Sequence, residues 1–297
     1  MTLFDADFLP KLDQLSLVSR RAVHGQLLAK RTARQRGSGL EFAEHRDYQP
    51  GDDFRDLDWN VYARHGELLL KRFHEERDLR VDFVLDCSRS MEAGDTDVKF
   101  DHARRIAACL AAIALAQLDR VSLASFADGV VDQLPVTRGK HQLLTLLRRL
   151  EGLKTSGQDT DIEASIKKLL STSQSGGLAV VISDFLDVHG WKRGLDRLRY
   201  HQYDVYLVHL VDDCDSFPKL LGDFEIVDIE TGEQRTVTIR ERDLERYRQA
   251  FQEFRTAIVD YAQHHGMGYL PAPTDVPYDE LVLQTMRRAG WLVGTTH

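Results

Sequence analysis

The sequence predicts an α/β domain: a doubly wound, mostly parallel sheet flanked by helices, with an N-terminal extension of mixed helix and strand. Three observations predict it. Short runs rich in β-formers (residues 81–86, 178–183 and 205–211) alternate with helical patterns (98–117, 140–150, 161–170 and 191–199), the order of strands joined by crossover helices. The run 178–183, Leu-Ala-Val-Val-Ile-Ser, shows no polar alternation, so it is expected to be buried on both faces, as parallel strands are. The helix over 98–117 is apolar nearly all round and rich in alanine, which suits close packing inside a covered sheet.

Length and charge bound the function classes. The chain has 297 residues, 42% hydrophobic and 29% charged, enough for one large domain with an extension. A formal net charge of −8 argues against general nucleic-acid binding, though not against a local basic patch. Cys87, Cys109 and Cys214 are widely spaced, with neither a disulfide framework nor a metal-ligand spacing. Residues 1–12 lack the apolar core of a secretory leader, and the longest apolar run, 106–116, is far short of the roughly 20 residues of a membrane span. A soluble, cytoplasmic location is expected.

Taken in order, residues 1–36 read as helical. The stretch 19–36 holds Arg20, Arg21, Lys30, Arg31, Arg34 and Arg36 and no acid, either a solvated face or a partner surface. Gly37-Ser38-Gly39 closes it as a flexible turn. Residues 40–80 are dense in Arg, Asp and aromatics, which suggests internal ion pairing; Pro50-Gly51 fits a type II turn, and 68–73 reads as a strand. Asp56-x-Asp58-x-Asn60 with Glu67 superficially fits a calcium loop, but Val61 stands where the sharp turn needs glycine. Beyond the first strand and the alanine-rich helix, 120–126 and 129–134 form a hairpin turning at Asp128-Gly129. After the third parallel run, 224–229 and 234–239 form a second hairpin. Residues 241–265 carry Leu244, Tyr247, Phe251, Phe254, Ile258 and Tyr261 at three- and four-residue steps, an amphipathic helix. A last strand over 268–272 and a last helix over 279–289 follow. The expected division is an extension over 1–80 packed on a main domain over 81–297.

Chemistry concentrates at the end of the first strand. Asp86 closes it, and Ser88 and Ser90 follow at two and four residues. In open α/β sheets ligands bind at the carboxyl ends of the strands. One carboxylate and two hydroxyls are hard oxygen donors, suited to Mg²⁺ or Mn²⁺ rather than zinc. Asp86-x-Ser88-x-Ser90 resembles the first segment of the metal-ion-dependent adhesion site of von Willebrand factor A domains. Thr160, in Gly157-Gln158-Asp159-Thr160-Asp161, is similar to the threonine segment of that site, and Asp184, after 178–183, to its aspartate segment. The resemblance implies a von Willebrand factor A-like, Rossmann-type fold with a Mg²⁺ or Mn²⁺ ion on Asp86, Ser88, Ser90, Thr160 and Asp184. Each residue also fits a local role: Asp86 and Asp184 as turn formers, and Thr160 with Glu163 as a capping box.

A second resemblance precedes the site. Glu41-Phe42, Asp47-Tyr48-Gln49-Pro50-Gly51-Asp52-Asp53, Asp58-Trp59, Ala63-Arg64, Lys71 and Glu76-Arg77 lead into the Asp86 strand. Over residues 37–187 the chain is similar to the bacterial family called domain of unknown function 58, a relative of von Willebrand A domains. That resemblance implies a cytoplasmic bacterial protein, often encoded beside a MoxR-type AAA+ ATPase.

No nucleophile elbow or phosphate-binding loop is present; Ser88 stands where an Asp-x-Asp phosphotransferase has its second carboxylate, and no histidine triad is evident by spacing. The expected function is therefore non-enzymatic: a metal-dependent protein-interaction module, or adaptor, whose ion is completed by a partner's Asp or Glu, with a MoxR-type AAA+ ATPase as the partner. A Mg²⁺-dependent hydrolase or phosphotransferase using the same pocket, or a metal-free scaffold, are the alternatives.

Overall fold

The computed structural model describes residues 3–4, 8–15, 41–49, 52–74, 79–92, 99–157, 160–172, 176–187, 189–216, 218, 221–228 and 232–288. The basic stretch 19–36, the turn at Gly37-Ser38-Gly39 and Pro50-Gly51 lie outside them.

The N-terminal part supplies helix α1 (8–15), strand β1 (Glu41–Asp47), helix α2 (Trp59–His65) and strand β2 (Leu69–His74). β1 and β2 pair antiparallel in a sheet of their own. Neither β1 nor α2 was expected from the sequence. Asp58 explains α2: its carboxylate accepts the N–H groups of Asn60 and Val61 as N-cap, and Gly66 ends the helix with φ +71°. The same carboxylate meets His45 Nε2 at 2.9 Å, so Asp58 is engaged in local structure.

The main sheet begins at β3 (Arg80–Asp86). Helix α3 (Lys99–Ala116) leads to β4 (Arg120–Phe126), which turns into β5 (Val130–Arg138). Helices α4 (Leu143–Gly152) and α5 (Ile162–Thr172) cross to β6 (Gly177–Ser183). Helix α6 (Lys192–Tyr200) returns to β7 (Tyr203–Val211), and the short α7 (Asp213–Ser216) follows. A second antiparallel pair, β8 (Gly222–Val227) and β9 (Gln234–Ile239), precedes helix α8 (Glu241–His264), strand β10 (Gly268–Pro273) and helix α9 (Tyr278–Arg288). The six-stranded order is β10-β7-β6-β3-β4-β5, parallel except for β5 at the edge. This is the doubly wound order, with helices on both faces.

The two faces have separate cores. On one, Val81, Phe83 and Leu85 of β3 and Val180 and Ile182 of β6 meet the alanine-rich α3 together with α4 and α9. Phe8, Leu12 and Leu15, spaced four and three along α1, are buried in this same core, each contributing about 2 kcal/mol. On the other face, Val84, Val181 and Leu207 meet α5, α6 and α8. The alternation of Val81, Phe83 and Leu85 against Val84 shows why both sides of β3 are apolar: each faces a helical layer.

One glycine sets how closely α5 lies on α6. A Cβ on Gly194 would sit 2.8 Å from Ile162 Cγ2 and 3.1 Å from Ile166 Cδ1. The valine in Gly194→Val must push the first turn of α5 outward, a strain of about 1–3 kcal/mol. The expected result is a melting temperature lower by about 2–5 °C in thermal unfolding. An unchanged melting temperature would contradict this close approach.

Candidate metal centre

The chain leaves β3 towards β4 on one side and comes back through β6 on the other. The ends of β3 and β6 therefore flank a topological switch point, the place where open α/β sheets bind ligands. Asp86 closes β3, and Asp184 follows the last residue of β6.

Asp86 is buried and held on both oxygens. Its Oδ1 accepts the N–H of Ser88 at 2.8 Å, and its Oδ2 accepts the hydroxyl of Ser183 at 2.5 Å. Ser183 Oγ in turn accepts the N–H of Phe185 at 2.8 Å. Ser88 and Ser90, both buried, place their hydroxyl oxygens 2.9 Å apart. Asp184 accepts the N–H of Leu186 at 3.1 Å on Oδ1 and the ammonium of Lys99 at 2.9 Å on Oδ2. The turn after Asp184 is strained: Phe185 has φ +58°, a region non-glycine residues avoid, at a cost of about 1–3 kcal/mol. Its fully buried ring, edge-on to Trp191 and His209, holds the backbone there.

Thr160 is buried in the loop that enters α5. That loop is stitched across the ends of two strands: the N–H of Ser156 donates to Cys87 O at 2.8 Å, and that of Asp161 to Ala127 O at 3.0 Å. Asp187 clamps it to the loop after β6, accepting from Ile162 N–H at 3.0 Å and from His189 and Gly190 N–H at 2.7 and 3.1 Å. The backbone thus gathers the three segments at one sheet edge. There the charge of Asp184 disfavours ionisation of Asp86.

Three residues of this neighbourhood were not anticipated from sequence. Ser183 links Asp86 to the Asp184 turn. Lys99, the fully buried first residue of α3, bridges Asp184 and Asp215, with its Nζ 2.9 Å from an oxygen of each. A lysine heading an alanine-rich helix, and the acids Asp212, Asp213 and Asp215 after β7, were the only signals.

Burial dominates the electrostatics. It pushes the carboxyl of Asp86 up to about 7, with Asp184 adding to the rise against the hydrogen bonds from Ser183 and Ser88. Burial also works against the ammonium of Lys99, but Asp184 and Asp215 outweigh it, so Lys99 stays charged. The pair is not symmetric: burial keeps the carboxyl of Asp215 above its ordinary value despite Lys99. Burial governs two neighbours as well. Burial, then Asp86, pushes the Cys87 thiol up to about 12, far from a reactive thiolate. Burial takes His209 down to about 4; its Nδ1 lies 2.9 Å from the Tyr269 hydroxyl, and its ring meets Phe185 and Phe254 edge-on.

The residues fit a hard divalent ion. Two carboxylates and three hydroxyls from separate loops are oxygen donors only. A buried carboxylate that resists ionisation beside another carboxylate is what a bound cation would relieve. Among the described residues no group of three or more His, Cys, Asp or Glu gathers as an alternative metal site.

Comparison with known proteins places the chain. The family described as "Protein of unknown function DUF58" matches residues 44–257. An uncharacterised protein of Mycobacterium tuberculosis is 27% identical over 288 residues, covering 95% of this chain and 90% of its own. An uncharacterised protein of Mycobacterium avium is 28% identical over 166 residues, 54% of this chain and 98% of its own. Among solved structures, BatB from Bacteroides thetaiotaomicron aligns with a TM-score of 0.44 at 16% identity, over 72% of this chain and 98% of that one. A von Willebrand factor type A structure from Catenulispora acidiphila gives 0.42 at 13%, over 74% and 44%. Proximal thread matrix protein 1 of the mussel byssus, with a zinc-occupied MIDAS motif, gives 0.44 at 12%, over 72% and 48%.

Proposed function

Because the chain belongs to the DUF58 family, whose description states no activity, its role must be read from the site, and we propose that it is a metal-dependent protein-interaction module. The observation that carries this reading is the pair of buried carboxylates, Asp86 and Asp184, set with Ser88, Ser90 and Thr160 at the switch point of the sheet. Asp86 and Asp184 would hold the ion by charge; Ser88, Ser90 and Thr160 would hold it by neutral oxygen. Mg²⁺ or Mn²⁺ suits that donor set. Such an ion, once bound, supplies net positive charge and an exchangeable coordination position that an Asp or Glu of a partner can take. Lys99 binds one oxygen of Asp184, and Ser183 one oxygen of Asp86. An adaptor of this kind, working in the cytoplasm with a MoxR-type AAA+ ATPase, is the fuller form of the proposal. Among the described residues no helix is long and apolar enough to cross a membrane.

Water relaxation by Mn²⁺ tests the open position. Protein-bound Mn²⁺ should enhance proton relaxation, and a short peptide with one glutamate should lower that enhancement by displacing bound water. The glutamine version of the peptide should not. Equal effects of the two peptides would overturn the reading.

A further inference from the structure

A cleft of about 340 Å³ lies between α5 and α6, beginning at Asp161, the residue after Thr160. Asp161, Glu163, Lys167, His189, Arg193 and Arg197 line it. Its acids are already engaged. Asp161 Oδ1 accepts the N–H of Ala164 at 2.7 Å, and Glu163 Oε1 meets Arg197 at 2.6 and 2.9 Å. Lys167 and Arg193 act on Glu163 only at longer range, and no ion pair of theirs is formed among the described residues. They are exposed, so their charge faces incoming ligand. The patch is also anomalous for the chain. α5 and α6 together carry six Lys and Arg against Glu163 and Asp196, in a protein of formal net charge −8.

We infer that this cleft is a second subsite for an acidic segment of the protein partner, one whose first carboxylate meets the metal centre; the inference rests on the function proposed above. Position argues for a shared ligand. Thr160 immediately precedes Asp161, and Lys167 lies five residues beyond Ile162, about 7.5 Å along the helix axis. An extended peptide advances about 3.3 Å per residue, so a second acid a few positions beyond the metal-facing carboxylate would be carried along α5 towards Lys167. The interleaved acids Asp161 and Glu163 and the net acidity of the molecule disfavour a nucleic-acid backbone, which needs a continuous basic track. A short acidic peptide needs only the two cations.

Two acetylated peptides test this on the full chain: one with aspartates four positions apart, the other with the outer aspartate replaced by asparagine. Binding is followed by amide shifts at Lys167, Arg193 and Arg197, with saturating Mg²⁺ and with EDTA. The double-aspartate peptide should bind about five-fold more tightly to the wild type. That preference should vanish in the surface variant Lys167→Glu/Arg193→Glu, while the single-aspartate peptide binds both proteins equally. No preference in the wild type, or one that survives in the variant, overturns the subsite and leaves the metal reading standing. A preference that is lost in the variant but insensitive to EDTA supports the subsite and removes the metal bridge. A single-stranded DNA hexamer that outcompetes the double-aspartate peptide would overturn the inference in favour of a nucleic-acid patch.

Discussion

Lys99→Met is expected to destabilise the protein by about 3–5 kcal/mol, the cost of leaving buried charge unpaired. Its ammonium is fully buried and sits 2.9 Å from both Asp184 and Asp215. Methionine keeps much of the volume and removes the charge, so the buried Asp184 would be left without its cation and the partly buried Asp215 would lose its partner. For a chain of 297 residues the melting temperature should fall by about 5–8 °C. A second substitution, Asp215→Asn, removes one of the orphaned charges and should recover part of the loss, since residues in one network are not additive. Divalent ion should stabilise Lys99→Met more than the wild type, because it supplies the positive charge that Asp184 has lost. Melting within about 2 °C of the wild type would show that the ammonium is not what sustains the buried Asp184 carboxylate.

Asp86→Asn should act in opposite directions with and without metal. The carboxyl of Asp86 titrates at about 7 in the folded, metal-free protein, against an ordinary value of 3.8. A group raised on folding contributes stability that is fully present below its unfolded pKa and is lost as pH rises through its folded pKa. The metal-free wild type should therefore lose a few kcal/mol from this group between about pH 4 and pH 7. Asp86→Asn lacks that dependence. Without metal it should melt above the wild type at pH 8, with the gap closing towards pH 5. With Mg²⁺ or Mn²⁺ the order should reverse at pH 8, because the ion binds the ionised carboxylate and expels its proton. Parallel melting curves for the two proteins across this range would contradict a strained carboxylate at the strand end.

The sheet could be read from the chain because its signals are local. Each parallel strand is a short apolar run of its own, and the alanine content of α3 announces a helix buried on most sides. The segments carrying Asp86, Thr160 and Asp184 could be read through their likeness to the three-segment adhesion site, and Asp86 and Asp184 also as acids at the ends of apolar strand runs. Lys99 could not. Its partners lie 85 and 116 residues away, and nothing in the spacing along the chain marks which acid will meet a buried ammonium. Helix α2 escaped for a different reason: none of its residues is buried, so it has no apolar stripe, and its only marks are Asp58 at one end and Gly66 at the other. Strand β1 reads Glu-Phe-Ala-Glu-His-Arg-Asp, and its identity as a strand comes from pairing with β2, more than twenty residues later in the chain.

The metal site itself is tested most directly by titration calorimetry of Mg²⁺ and Mn²⁺ into the purified protein at pH 8, beside Asp86→Asn. Saturable binding of one ion per chain, accompanied by proton release that grows as the pH is lowered towards 7, and absent from Asp86→Asn, is the predicted result. No heat of binding to the folded wild type, or equal binding by Asp86→Asn, would contradict a metal centre at the end of β3.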